Sequence, residues 1–408
     1  MNNTVPYTDM KDSGIKWIGS VPASWNVRTL YQLATRVNNK NTDLSEQNLL
    51  SLSYGKIKRK DINTNDGLLP ASFDGYNIIE AGDIVLRLTD LQNDHTSLRV
   101  GHATERGIIT SAYTTLRPLN PAHSRYLYYL IHAFDLKKGF YGMGSGVRQG
   151  LNYNEVKELR VVIPSQEEQD AIVEYLDQVC AFIDALVSEA KATIKDFSLW
   201  KLAIIFEAVT KGINKTIKLK DSGLKYIGTM PCNWQLASLK HLFVLQRGYD
   251  LPKESFIDGE IPVCGSNGII GYHNEVTVRK PCITIGRSGS VGKVNYYDCD
   301  AWVHNTAIYV KEMYDNVPKY LYYILMSLDM EYLSTKTAVP TLDRKNIQNY
   351  IYPYTTDKSE QQRIADFLDE RCDSIETLKN EQIQLIAELE QYKRSIIYET
   401  VTGKRKVV

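Results

Sequence analysis

The stretch GRSGSVGKV, residues 286–294, carries the residue types of a phosphate-binding loop. Such a loop needs two glycines five apart, then Lys and a hydroxyl residue, so that backbone N–H groups cradle phosphate and the hydroxyl ligates magnesium. Five residues before Gly292 stands Arg287, and Lys293 is followed by Val294. The magnesium ligand is missing, so no nucleotide site is expected. YGMGSGVRQG (141–150) lacks the G-x-G-x-x-G spacing of a dinucleotide turn. The seven histidines form no H-E-x-x-H or other metal spacing. There is no G-x-S-x-G elbow, and no Asn or Asp followed by Pro-Pro and an aromatic, the signature of amino-methylating enzymes. Glu167-Glu168 sits at a helix start, where carboxylates favour the macrodipole. Six cysteines stand singly, which predicts buried free thiols of a reducing cytosol rather than a disulfide framework or a zinc site. Catalytic residues, metal and cofactor are all expected to be absent.

The same loops suit a nucleic acid. Glycine-rich turns let backbone approach phosphates, and Arg, Lys, Ser and Asn supply donors to them. Arg also pairs with guanine, and Asn or Gln with adenine, in the major groove. The candidates cluster. In the first half they are Lys56, Lys58, Arg59 and Lys60, then Arg87, Thr89, Asn93 and Arg99, then Ser111, Tyr113, Arg148 and Gln149. In the second they are Asn267, Arg279, Arg287, Ser288, His304, Asn305 and Thr306. Residues 26–150 hold 15 basic and 11 acidic side chains, whereas residues 165–212 hold 4 and 9. The net charge of zero argues against indiscriminate polyanion binding but leaves room for local basic surfaces.

Those clusters are mounted on a duplicated frame. KDSGIKWIGSVPASW (11–25) and KDSGLKYIGTMPCNW (220–234) share nine of fifteen residues. Residues 168–210 align without a gap onto 360–402, matching Cys180 with Cys372 and IIFEAVT with IIYETVT. RYLYYLIHAFDL (125–136) resembles KYLYYILMSLDM (319–330). Each half therefore runs opening segment, variable region, Tyr-rich helix, short loop and long helix. The variable regions, roughly 26–120 and 235–315, share no evident sequence and read as mixed α/β, with strand runs cut by glycine turns. Gly, Pro and paired aromatics in the opening segments predict a short helix and a turn clamped onto a long-helix end.

In the long segments Ile172, Leu176, Val179, Ile183, Leu186, Phe197 and Ile204 fall on one seam repeating every 3.5 residues. The second copy keeps the frame with Ile364, Leu368, Ile375, Leu378, Leu385, Leu389 and Ile396. One such helix cannot bury its stripe alone, so the two are expected to pair within the chain, antiparallel about a pseudo-two-fold axis. The fold class is α+β: two globular mixed α/β domains joined by two long helices packed as an antiparallel coiled coil. The expected boundaries are an opening segment at 1–25, a first domain at 26–164, a central long helix at 165–212, a second opening segment at 213–234, a second domain at 235–357 and a C-terminal long helix at 358–408.

A length of 408 residues, 43% hydrophobic and 24% charged, suits a soluble protein of two or more domains. No apolar run reaches the roughly 18 residues of a membrane span, and the N-terminus has no signal-peptide core, so a cytoplasmic location without membrane contact is expected. The 27 tyrosines also suit a structural adaptor that binds protein partners through two Tyr-rich domains.

The doubled KDSG-K-IG…P-W segment, RQGLNYNEVKELRVVIPSQEEQ (148–169) with PTLDRKNIQNYIYPYTTDKSEQQ (340–362), and the IIFEAVTKG and IIYETVTGK helix ends resemble the specificity subunits of type I restriction-modification enzymes over nearly the whole chain. The resemblance implies that each variable region is a target-recognition domain reading one half of a bipartite, asymmetric site on double-stranded DNA. It implies that the coiled coil sets the unread spacer and docks two methyltransferase (modification) subunits, with restriction/translocase subunits joining through the complex. It also implies that S-adenosylmethionine, ATP and Mg stay on those partners, and that this subunit does no chemistry. VPTLDRKN (339–346) lacks the Arg-Gln-Gly of VRQGLNYN, so the role of Arg148 and Gln149 does not carry to it.

Overall fold

The computed structural model describes residues 7–63, 70, 72–91, 93–94, 96–143, 150–335 and 340–407. The chain divides into two compact units, Met1–Glu189 with Leu385–Val408, and Ala190–Gln384. Two long helices dominate the secondary structure and contribute a half to each unit. We label the helices used below α1 (Ser124–Leu136), α2 (Gln166–Lys211), α3 (Pro318–Met326) and α4 (Lys358–Val401).

In the first unit Ile172, Leu176 and Cys180 of α2 share a core with Ile396, Ile397 and Val401 of α4. Farther along, Asp184 pairs with Lys393 at 2.6 Å. The start of α2 thus lies beside the end of α4, and the two run in opposite directions. In the second unit Ile205, Ala208 and Val209 pack with Ile364, Leu368 and Cys372, and Lys201 pairs with Glu376 at 2.8 Å. The repeat alignment maps Asp184 onto Glu376 and Lys393 onto Lys201, so each unit closes the same contact with its own helix halves.

The straight 3.5-residue seam needs correction. Ile172, Leu176, Ile183, Ile364, Leu368, Ile375 and Ile396 are buried, while Val179, Leu186, Phe197, Ile204 and Leu389 are half-buried. Leu378 and Leu385 are exposed, at 39% and 41%. Cys180, Val187 and Ala190 are buried beside seam positions, as are Ile205 and Cys372. An α-helix has 3.6 residues per turn, so its buried line drifts around the surface unless the helices supercoil strictly. Here the helix ends also pack against α1 or α3, which widens the buried face there.

The opening segments are β-hairpins, not the expected short helix. Met10–Asp12 pairs with Ser20–Pro22, and Leu219–Asp221 pairs with Thr229–Pro231 in the same relative register. Each repeated letter has an internal task. Gly14 and Gly223 sit at φ +64° and +72°, in the left-handed region that favours glycine, and their N–H groups donate to Asp12 and Asp221 at 2.9 Å. The Ser13 and Ser222 hydroxyls donate to the carbonyls of Gly19 and Gly228 at 2.5 and 2.7 Å. Lys11 and Lys220 reach the carbonyls of Ala23 and Cys232. The clamp onto the long helices holds: the Trp25 indole donates to Glu168 at 2.9 Å, and that of Trp234 to Glu360 at 3.1 Å.

The variable regions share a sheet plan despite their unlike sequences. In the first unit we name β1 (Ala34–Arg36), β2 (Leu50–Ser53), β3 (Lys56–Arg59), β4 (Ile84–Leu86), β5 (Val100–His102) and β6 (Thr114–Pro118). In the second we name β7 (Val244–Arg247), β8 (Cys282–Gly286), β9 (Val294–Tyr297) and β10 (Ala307–Glu312). Antiparallel sheets run β1-β6-β4-β5 and β7-β10-β8-β9, the same order of first, last, second and third strand. β2 and β3 form a separate hairpin.

On α1 and α3 the tyrosines anchor each sheet to the long helices. Tyr129 and Tyr323 donate to Asp177 and Asp369 at 2.5 and 2.6 Å, and the same carboxylates pair with Arg125 and Lys319. The tyrosines of these two helices are thus internal: Tyr126, Tyr129, Tyr320 and Tyr323 are buried, and Tyr128 and Tyr322 are half-buried.

The first unit carries two imidazoles set into its interior, His132 buried and His102 half-buried. His132 stacks on Tyr128, and His102 lies against the same ring; the Nδ1 atoms of both are buried without a hydrogen-bond partner. Burial pushes both histidines down to about 4. A histidine whose folded value is depressed leaves stability intact above the unfolded value near 6.5 and removes it as pH falls towards 4. At pH 5 this amounts to about 2 kcal/mol each. Buried Asp135, pushed up to about 6, acts oppositely, gaining stability on acidification by about 1 kcal/mol. The first unit is therefore expected to melt at clearly lower temperature at pH 5 than at pH 7. Thermal unfolding of H102Q/H132F should lose most of that difference.

Candidate nucleic-acid interface

Four sequence-predicted cations cluster on or beside the β2–β3 hairpin. Lys56, Lys58, Arg59 and Lys60 are all exposed. Lys56 lies 3.7 Å from Asp184 of α2, and Arg59 donates through Nε to both carboxylate oxygens of Glu105. These two contacts hold the hairpin, leaving Lys58 and Lys60 outward. Ser111 is exposed, whereas Tyr113 is half-buried against the small core of Leu50, Val85 and Ile109.

Arg99 corrects the prediction. It is fully buried and spends its guanidinium on the carbonyls of Arg87, Thr89, Asp90 and Asp94 and on the Tyr141 hydroxyl. Arg99 has no donor left for DNA; it folds the 87–97 loop around itself. The same loop keeps Thr89 and Asn93 exposed, with Asn93 donating to Asp90 at 2.9 Å. Arg87 is 3.4 Å from Asp94, whose carboxylate also accepts from Ser97 and Thr96 and is held well below its usual range. Arg148 and Gln149 lie outside the described residues.

In the second unit the structure brings most of the candidates together at one end of the β7–β10 sheet. Gly286 ends β8 where the 286–292 loop doubles back on itself. Its N–H donates to the Lys293 carbonyl and its own carbonyl accepts from Gly292. A Cβ on Gly286 would stand 2.0 Å from the Ser290 carbonyl oxygen, so the glycine is required by loop geometry. The loop joins two antiparallel strands rather than opening a helix, and Lys293 donates to the carbonyl and side chain of Asn267 at 2.7 and 2.9 Å. Arg287 N–H donates to the Thr306 carbonyl, which sets it against the His304–Asn305–Thr306 turn. That turn is stiffened by a 2.9 Å contact between His304 Nδ1 and Thr306 Oγ1. Ser288 bridges to Thr341. Arg279 is tied to Asp300 on a neighbouring turn.

Sequence reasoning missed three residues here. Gln246 and Arg247 end β7, and Arg344 opens the short helix Arg344–Gln348. With Arg287 and Asp343 they line a cleft of about 550 Å³. For Arg344 the one available sequence signal was position, since 339–346 aligns with VRQGLNYN and its Arg148 and Gln149; Gln246 and Arg247 carried none.

The long helices carry exposed apolar side chains, among them Phe182, Leu199, Trp200, Leu202, Ile383 and Tyr392. All six cysteines are unpaired; four are buried, but Cys232 and Cys299 are exposed, contrary to expectation. Among the described residues no group of His, Cys, Asp or Glu could hold a metal ion, and no helix is long and apolar enough to cross a membrane.

Two family-model matches, to residues 22–196 and 231–390, are to the type I restriction modification DNA specificity domain. Together they span most of the chain, which therefore belongs to that family and carries its domain twice. No curated protein matched the sequence. A chain solved in a study of complex assembly and conformational transition of the type I R-M system has 16% identity and a TM-score of 0.71, with 93% of this chain and 98% of that one covered. The HsdS subunit from Thermoanaerobacter tengcongensis has 16% identity and a TM-score of 0.50, covering 94% and 98%. At such identity these two likenesses speak for the fold.

Proposed function

We propose that this chain is the specificity subunit of a type I restriction-modification complex, and that it reads an asymmetric, bipartite target on double-stranded DNA. The observation carrying this reading is that each family match overlaps one unit built on the same sheet plan, whereas the loops at the sheet ends differ completely. One frame thus presents two unlike reading surfaces. Residues 26–164 and 235–357 are the target-recognition domains. The opening segments at 1–25 and 213–234 brace the long helices at 165–212 and 358–408, which set the spacer.

Modification subunits are the partners for the repeated helical frame, one for each copy, and the exposed Phe182, Trp200 and Ile383 offer them apolar anchors. Restriction subunits join through that assembly. Methylation, with S-adenosylmethionine, and ATP-driven work belong to those partners in the cytoplasm. This chain positions them on DNA without bond-making of its own.

Affinity measured against salt tests the reading. Each phosphate neutralised by Lys or Arg releases counterions, so the affinity of the complex for target DNA should fall steeply and log-linearly with salt concentration. An adaptor that binds proteins through tyrosine surfaces would show no such DNA affinity, and that result would replace this function.

A further inference from the structure

Several arginines of the recognition regions are spoken for: Arg59 by Glu105, Arg87 by Asp94, Arg106 by Glu46 and Glu80, Arg117 by Asp83, and Arg279 by Asp300. The cleft at the end of the β7–β10 sheet is different. Three guanidiniums line it, and among the described residues their side chains make only one hydrogen bond, from Arg344 Nη1 to the Leu245 carbonyl at 3.3 Å. Among the described residues the one carboxylate lining it, Asp343, accepts from the Lys345 N–H at 2.9 Å.

The backbone fixes this convergence. Arg247 pairs in register with Ile308 on β10, and Gly286, just before Arg287, pairs with the adjacent Ala307. Leu342 N–H donates to the Arg287 carbonyl at 3.0 Å, drawing the chain before Arg344 onto the same sheet end. Arg247 and Arg344 are exposed, whereas Arg287 and Gln246 are half-buried. Like charges gathered without partners are costly unless an anion completes the site.

We infer that this cleft grips target DNA, with Arg247 and Arg344 on the sugar–phosphate backbone and Arg287, beside Gln246, on a base edge. The inference rests on the DNA-reading function above and assigns its residues in the second unit. Exposed rim arginines meet phosphates, which stand outermost on a duplex. A half-buried arginine beside an amide side chain has the donor geometry for base edges in the major groove.

The test uses the full chain in complex with its modification subunits and a duplex carrying the target defined by its own methylation. Fluorescence anisotropy is read over a series of salt concentrations, with melting curves to confirm folding of each variant. R247A/R344A should bind about tenfold or more weakly, with a salt slope smaller by about two, one per lost phosphate contact. R287A should keep the slope and relax the preference at one base pair of one half-site, by roughly ten- to a hundredfold. Variants indistinguishable from the unaltered complex, when that complex itself binds steeply with salt, would overturn the cleft and leave the reading function standing. Loss of preference at one base pair in R247A/R344A with an unchanged slope would overturn the phosphate assignment. An unaltered complex without salt-dependent DNA binding would remove the function on which the inference stands.

Discussion

A heptad inserted at matched points of both long helices, after Ser188 in α2 and after Asn380 in α4, should widen the unread spacer of the target by about three base pairs. Seven helical residues add about 10 Å, and a base pair rises about 3.4 Å. Both insertion points lie close to the division between the compact units. The ion pairs Asp184–Lys393 and Lys201–Glu376 therefore stay within their own units. A seven-residue insertion also restores nearly the same helical face, since 3.6 residues per turn leaves a drift of only about 20°. The half-sites themselves should be unchanged. The check is sequencing of methylated adenines in cells that express the altered chain with its modification subunits. An unchanged spacer would show that the helices do not set it.

Replacing residues 235–345 by the corresponding region of another such domain should change one half-site completely and leave the other half-site and the spacer intact. The second unit packs its own core from Leu245, Ile283, Ile308 and Tyr320 against Ile364 and Leu368. The first unit packs Leu86, Leu116 and Tyr126 against Ile172 and Leu176. A graft that keeps the Trp234–Glu360 clamp and the Tyr323–Asp369 hydrogen bond retains what fastens the domain to α4. The new half-site should match that of the donor domain. Loss of both half-sites in a folded chimaera would mean that the two domains do not read independently.

What the sequence disclosed follows from what repeats within it. The opening segments are legible as a repeat, though not as hairpins, because Asp12, Ser13 and Gly14 and their counterparts Asp221, Ser222 and Gly223 each satisfy a local backbone need, and local needs dictate residue type. The long helices are legible through periodicity, although the straight seam placed Leu378 and Leu385 inside when the drifting buried line leaves them exposed. The common sheet order was hidden. β1 and β7 read ATR and VLQR, and strand pairing depends on pattern and partners rather than identity.

Site residues were legible only as charges. A sequence shows that Arg99 is cationic but not that four carbonyls consume it, because burial is a property of distant contacts. Arg247 and Arg344 were missed for the complementary reason: Arg247 stands in no motif, Arg344 stands where the second copy departs from VRQGLNYN, and 97 residues separate two side chains that the fold sets around one cleft.

The most direct measurement of the central claim is the pattern of methylated adenines in cells expressing the unaltered chain with its modification subunits, against cells lacking only this chain. The account predicts methylation that depends on the chain and falls in two unlike short half-sites at one fixed separation. Methylation indifferent to the chain, or confined to a single contiguous or palindromic motif, would contradict it.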